Sequence, residues 1–189
     1  MMRSIASAFA IGVFSLFLDG GSPPSPTPAR LAPKADAATC PVEFPEDSEP
    51  NPELLTPEIR DFVRDWFLAL RNAEPLDEML TFYSTDKPVI SFFNPNDPSR
   101  HTACDRAGFQ RLRDADVEHH INQSYDVVSL EVSGSAERPV VHVTIIWNAD
   151  DAKTGEHYTY SDSQIWTLIP GGPHGFRIQS NIMTELHPV

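Results

Sequence analysis

The clearest pattern along the chain is a stripe. Ile59, Phe62, Val63, Trp66, Phe67 and Leu70 recur at i, i+3, i+4, i+7, i+8 and i+11, which is one apolar face of a helix. Thr56-Pro57-Glu58 opens it with a capping residue, a proline at the first helical position and an acid in the first turn. It should end near Asn72, ahead of Pro75. Leu76, Met79, Leu80 and Tyr83 repeat the stripe over a second, short helix. Val89 to Phe93 reads as a strand, and the run Asn94-Pro95-Asn96-Asp97-Pro98 after it predicts turns only. Thr102-x-x-Asp105 has the form of a capping box and predicts a helix to about Ala115, with Phe109 and Leu112 inward. From there the period falls to two. His119 to Val132, Arg138 to Asn148 and Tyr158 to Ile169 read as long strands. Asp126, Val128, Leu130 and Val132 share a face of the first, and Val141, Val143, Ile145 and Trp147 a face of the second.

The last stretch, Ser161 to Leu186, reads as a long hairpin, because Pro170-Gly171-Gly172-Pro173-His174-Gly175 separates two runs of strand composition. Trp166-x-Leu168, the glycine-containing turn and Gly175-Phe176-Arg177-Ile178 resemble the closing hairpin of the nuclear-transport-factor-2-like superfamily. That superfamily includes SnoaL-like polyketide cyclases and ketosteroid isomerases. The resemblance covers roughly Thr56 to Leu186 and extends to the order of elements and the aromatic first helix. It implies an α+β fold, a curved antiparallel sheet wrapped as a cone around about three helices, with an apolar pocket on the concave side.

Polar residues on that inward face are then the candidates for chemistry. Residues two apart on a strand share a face. Extending Val132, Leu130 and Val128 backward therefore brings in Asp126, Ser124, Asn122 and His120. On the strand from Tyr158 the inward set is Tyr158, Tyr160, Asp162, Gln164, Trp166 and Leu168. His120 and Asp162 become the candidate acid–base pair, with Asn122 and Tyr160 as hydrogen-bonding groups near a substrate and Trp66 as an apolar wall. No metal site is expected: His119 and His120 are adjacent and face opposite ways, His142 points outward, and His174 lies in the last turn. Nor is a cofactor, since the chain has no glycine-rich phosphate loop, serine elbow or paired-cysteine knuckle.

Composition changes the picture at the N-terminus. Ile5 to Leu18 is apolar, follows Arg3 and is short for a membrane span, so residues 1–20 read as a signal peptide, with an uncleaved anchor as the alternative. Residues 21–55 are rich in proline and poor in bulky apolar groups, a linker expected to make few contacts with a domain spanning 56–189. The expected location is secreted or periplasmic. In an oxidising compartment the two cysteines, Cys40 and Cys104, are expected as a disulfide in preference to a reactive Cys104 near a helix start. The net charge of −13 and the lack of a basic run argue against nucleic acid as a partner.

Two functions remain. One is a cofactor-free acid–base isomerase, dehydratase or cyclase acting on a small hydrophobic molecule. The other is a non-catalytic domain of the same fold that binds a ligand or forms a homodimer through its outer sheet face. A cavity filled by Trp66, Phe67 and Trp166 favours the second.

Overall fold

Thr56 starts the first helix as its sequence predicts, its Oγ1 accepting the Ile59 N–H at 3.4 Å. The helix, α1 (Pro57–Arg71), buries Ile59, Phe62, Val63, Trp66 and Phe67. A short α2 (Leu76–Leu80) follows, with Met79 buried and Phe82 and Tyr83 packed beyond its end. The computed structural model describes residues 42–46, 48–94 and 97–189, and side chains outside 91–101.

The polar, proline-rich run after the first strand is the main departure from the predicted elements. β1 (Val89–Asn94) pairs antiparallel with β2 (Asp97–Ala103), in the register Ile90 to Ala103. The run predicted as turns is thus mostly strand. β2 lies at an edge of the sheet, where one side of a strand needs no ladder partner, so Pro98 is tolerated. Thr102 consequently belongs to β2, and the cap of the next helix is Asp105, whose Oδ1 accepts the Gly108 N–H at 2.6 Å. Asp105→Ala should cost about 1 kcal/mol of unfolding free energy, readable as a shift in urea midpoint at constant slope. This helix, α3 (Arg106–His119), runs on to His119 and does not stop near Ala115.

Four long strands complete the sheet: β3 (His120–Ser135), β4 (Arg138–Asp151), β5 (His157–Pro170) and β6 (Phe176–Pro188). The spatial order is β2-β1-β6-β5-β4-β3. All neighbours are antiparallel except β1 and β6, which run parallel, so the sheet is mixed where a purely antiparallel one was expected. The sheet curves over the helices without closing, and its inner face meets them through Val132, Val141, Val143, Ile145, Trp166, Leu168 and Ile178.

Residues ahead of Thr56 also dock, where few contacts were expected. The Asn51 N–H donates to the Val132 carbonyl at 2.7 Å, and the Gly134 N–H donates to Ser48 Oγ at 3.1 Å. Leu54 and Leu55 pack against the core. β3 is the other edge strand, and its outward backbone groups need partners that this segment supplies.

Two irregularities in β3 decide which side chains face inward. Val127 opposes Ile145 and Ser129 opposes Thr144, leaving Val128 as an extra residue. Farther up, Ile121 opposes Asp150 and Ser124 opposes Asn148, with Asn122 held at φ 55°. Each bulge turns the alternation over by one residue.

Candidate functional site

β5 keeps the alternation its sequence predicts, and Asp162, Gln164, Trp166 and Leu168 are all buried on the inner face. Asp162 is only 4% exposed. Its Oδ2 accepts a hydrogen bond from Gln164 Nε2 at 2.6 Å, and Gln164 Oε1 accepts one from Trp166 Nε1 at 2.8 Å. Oδ1 has no hydrogen-bond partner among the described residues. Burial pushes the Asp162 carboxyl up to about 7, the bond from Gln164 offsetting part of the rise.

At the far end of this hydrogen-bonded chain, rings pack against Trp166. Trp66 lies 4.8 Å from Trp166 and 4.9 Å from Phe67, and Phe67 lies 5.6 Å from Trp166, measured between ring centres. Trp66, expected as the apolar wall of a pocket, is packed against other aromatic rings. Its Nε1 is buried close to the Tyr83 hydroxyl without making a well-aligned hydrogen bond.

His120 reaches the inner face by a different route from the one its spacing suggests. The bulge at Val128 inverts the alternation and the one at Asn122 inverts it again, so His120 returns to the predicted side, its ring 4.9 Å from Trp147. The side chains between the bulges do not. Tyr125 takes the inward place opposite Trp147, and Asp126, expected inward, is exposed. Asn122 is exposed too and donates to Asp150 Oδ2 at 2.8 Å, which removes it from the expected substrate-binding set. Tyr160 is half-buried, 6.2 Å from Trp147, at the same end of the sheet as His120.

The expected His120 and Asp162 pairing is replaced by two separate arrangements. His120 Nδ1 lies 3.1 Å from Asp116 Oδ1, while the Asp162 carboxylate is bonded to Gln164. Asp116 is a hub. It accepts from Gln123 Nε2 at 3.2 Å and pairs with Arg113 at 3.3 Å. Gln123 Oε1 in turn accepts from the Tyr125 hydroxyl at 2.6 Å and from Trp147 Nε1 at 3.0 Å. The side chains of Arg113 and His120 are 10% and 14% exposed, so this is a mostly buried polar network between α3 and β3. Asp116 and His120 stand four apart, a helical spacing, and extending the predicted helix past Ala115 would have found the pair.

Outside the ring-filled interior an open cleft of ≈ 470 Å³ runs between α1 and β3. Val63, Phe67, Leu68, Val127, Val128 and Leu130 form its apolar surface, Tyr125 closes one end, and Arg60, Arg64 and Arg71 border it. On the opposite flank of α1, His174 stacks on Phe82 at 3.9 Å and Thr81 Oγ1 meets its Nε2 at 2.9 Å, which anchors the last turn.

His142 sits on the outer face beside Ser133, 3.2 Å away. Among the described residues no group of three or more His, Cys, Asp or Glu side chains is placed to hold a metal ion. Cys104 is described, but Cys40 lies outside the described residues, as does the apolar stretch Ile5 to Leu18. No helix among the described residues is long and apolar enough to cross a membrane.

No protein-family model matches the chain, and no curated protein matches it. Solved structures do. A ketosteroid isomerase-like protein from Erwinia carotovora is 13% identical, with a TM-score of 0.52 over 70% of this chain and 95% of that one. A nuclear transport factor 2-like superfamily protein from Salmonella enterica is 16% identical, with a TM-score of 0.52 over 70% and 89%. A hexachlorocyclohexane dehydrochlorinase from Novosphingobium barchaimii is 9% identical, with a TM-score of 0.54 over 70% and 88%. What these chains share at such identities is the fold, an α+β cone of the nuclear-transport-factor-2-like kind.

Proposed function

We propose that this protein of nuclear-transport-factor-2-like fold binds a small, largely apolar molecule in the cleft between α1 and β3. The supporting observation is that the rings of Trp66, Phe67 and Trp166 pack against one another inside the cone, while the cleft leaves Val127 and Val128 of β3 44% and 58% exposed beside Leu68. Apolar surface on a rim of that kind is what a ligand covers. Binding of the neutral fluorophore N-phenyl-1-naphthylamine should weaken about tenfold or more in Val127→Glu, a loss of about 1.4 kcal/mol or more. It should be unchanged in Val117→Glu, an exposed apolar position on α3. Equal affinity in both variants counts against the cleft.

A second reading has its own observation. The hydroxyl of Tyr125, which lines the cleft, is linked through Gln123 and Asp116 to His120, a hydrogen-bonded network that fixes the imidazole in place. In this reading His120 is the acid–base group and Asp116 orients it. Its signature is uptake of solvent deuterium beside the carbonyl of small cyclic ketones by the wild-type protein and not by His120→Gln.

The protein is further proposed to be exported by its apolar N-terminal stretch and to carry a Cys40 to Cys104 disulfide. Closing a loop of about 65 residues contributes about 4 kcal/mol in the chain-entropy picture. Thiol titration of the unfolded, unreduced protein should find no reactive thiol, whereas two per chain rules the bridge out.

A further inference from the structure

α1 carries a second stripe beside its buried one. Arg60, Arg64, Leu68 and Arg71 stand at i, i+4, i+8 and i+11 and so lie along one line of the helix surface, and all four border the cleft. Three of the twelve residues lining it are arginines and none is acidic, in a chain with 27 acidic and 14 basic residues. The cleft is thus cationic in a strongly anionic protein.

The three arginines are not equivalent. Arg64 is held by Asp61 at 2.6 Å and Asp65 at 3.0 Å, so its charge is answered locally. Arg60 and Arg71 make no ion pair with the described residues. A helical rise of about 1.5 Å per residue sets them roughly 16 Å apart along the axis, one toward each end of the apolar strip, too far for one carboxylate to touch both. The strip between them, Leu68 with Val127 and Val128 across from it, is apolar, and Tyr125 and Ser129 are the neutral hydrogen-bonding side chains of the lining. A guanidinium at the end of an apolar groove matches a carboxylate in charge and in its forked geometry.

We propose that the ligand of this cleft is an amphipathic anion, an acidic headgroup on Arg60 or Arg71 and an apolar body along Leu68, Val127 and Val128. This rests on the cleft being the binding site and adds the chemistry of what it takes.

The test compares decanoate with decanol, which share a body and differ in charge, by calorimetric titration below micelle-forming concentrations. Decanoate should bind about tenfold more tightly, the scale of one charged hydrogen-bonded contact. The preference should vanish in the double variant Arg60→Gln, Arg71→Gln, with decanol affinity retained, and the single variants identify the end that holds the headgroup. High salt should shrink it, since both guanidinium groups face solvent. Equal binding of decanoate and decanol, weakened alike by Val127→Glu, overturns the anionic ligand and leaves the cleft. Binding of both that ignores Val127→Glu, or binding of neither, overturns both.

Discussion

Replacing Asp162 by asparagine should flatten the pH dependence of stability across neutral pH. The sign follows from where the proton sits. The native carboxyl, raised to about 7 by burial, still holds its proton at pH values where the unfolded chain, near 3.8, has released it. The contribution of Asp162 to stability is therefore full below about pH 4, falls as pH rises toward 7, and levels off above. Across that window the contribution amounts to about 4 kcal/mol, lost from the wild type and not from Asp162→Asn. Asparagine keeps an acceptor for Gln164 but places an amide where Oδ1 has no partner, so its stability at low pH should be the lower of the two. Urea unfolding at pH 4.5, 6, 7 and 8 reads the difference in slope. Parallel slopes would mean that water or another donor reaches Asp162 in the native protein.

Trp166→Ala should cost about 3–5 kcal/mol, the largest loss expected of any single change discussed for this chain. Trp166 is fully buried, touches the rings of Trp66 and Phe67, and donates to Gln164, which in turn donates to Asp162. Removing it opens a cavity and takes away the donor at the head of a buried polar chain, leaving Gln164 Oε1 unpaired. Trp166→Phe fills most of the space without the N–H and should cost less, about 1–2 kcal/mol, mainly for the unpaired Gln164 oxygen. A loss under about 1 kcal/mol in the alanine variant would show that the cone has room beside Trp166, and the interior would again compete with the cleft as a binding site.

The two strands of the expected site show why one half of it was legible in the sequence and the other half was not. β5 alternates without interruption from Tyr158 to Leu168, because the irregularities it shares with β6 leave their extra residues on β6. Parity alone therefore placed Asp162, Gln164 and Trp166. β3 carries its own bulges, and period-two reasoning failed for Asn122 and Asp126 while His120 came out on the right face through two cancelling inversions. Bulges follow from the curvature a sheet needs to wrap its helices, a tertiary demand that a composition of Val, Ser and Asn does not announce. β2 was hidden by its prolines, since an edge position is a property of the assembled sheet. The helices were readable because capping and a 3.6-residue stripe are local, and even there α3 was read short, which concealed the Asp116 and His120 pair. The cleft is a relation between α1 and an edge strand some sixty residues later in the chain, although the arginine line that borders it is plain once α1 is drawn as a helix.

The strand order has a consequence for synthesis. β6 is made after the other five strands of the sheet and yet lies inside it, parallel to β1 on one side and antiparallel to β5 on the other. While the chain emerges from a ribosome, β3, β4 and β5 can form a meander and β1 and β2 a hairpin, each from neighbouring segments. The two pieces have no shared ladder until Phe176–Pro188 is free to enter between them, pairing Val89 with Ser180 across most of the domain. Contacts so distant in sequence form slowly. The nascent chain therefore stays open until Phe176–Pro188 has emerged, and a chain cut before β6 is left with two half-sheets whose inner edges are bare.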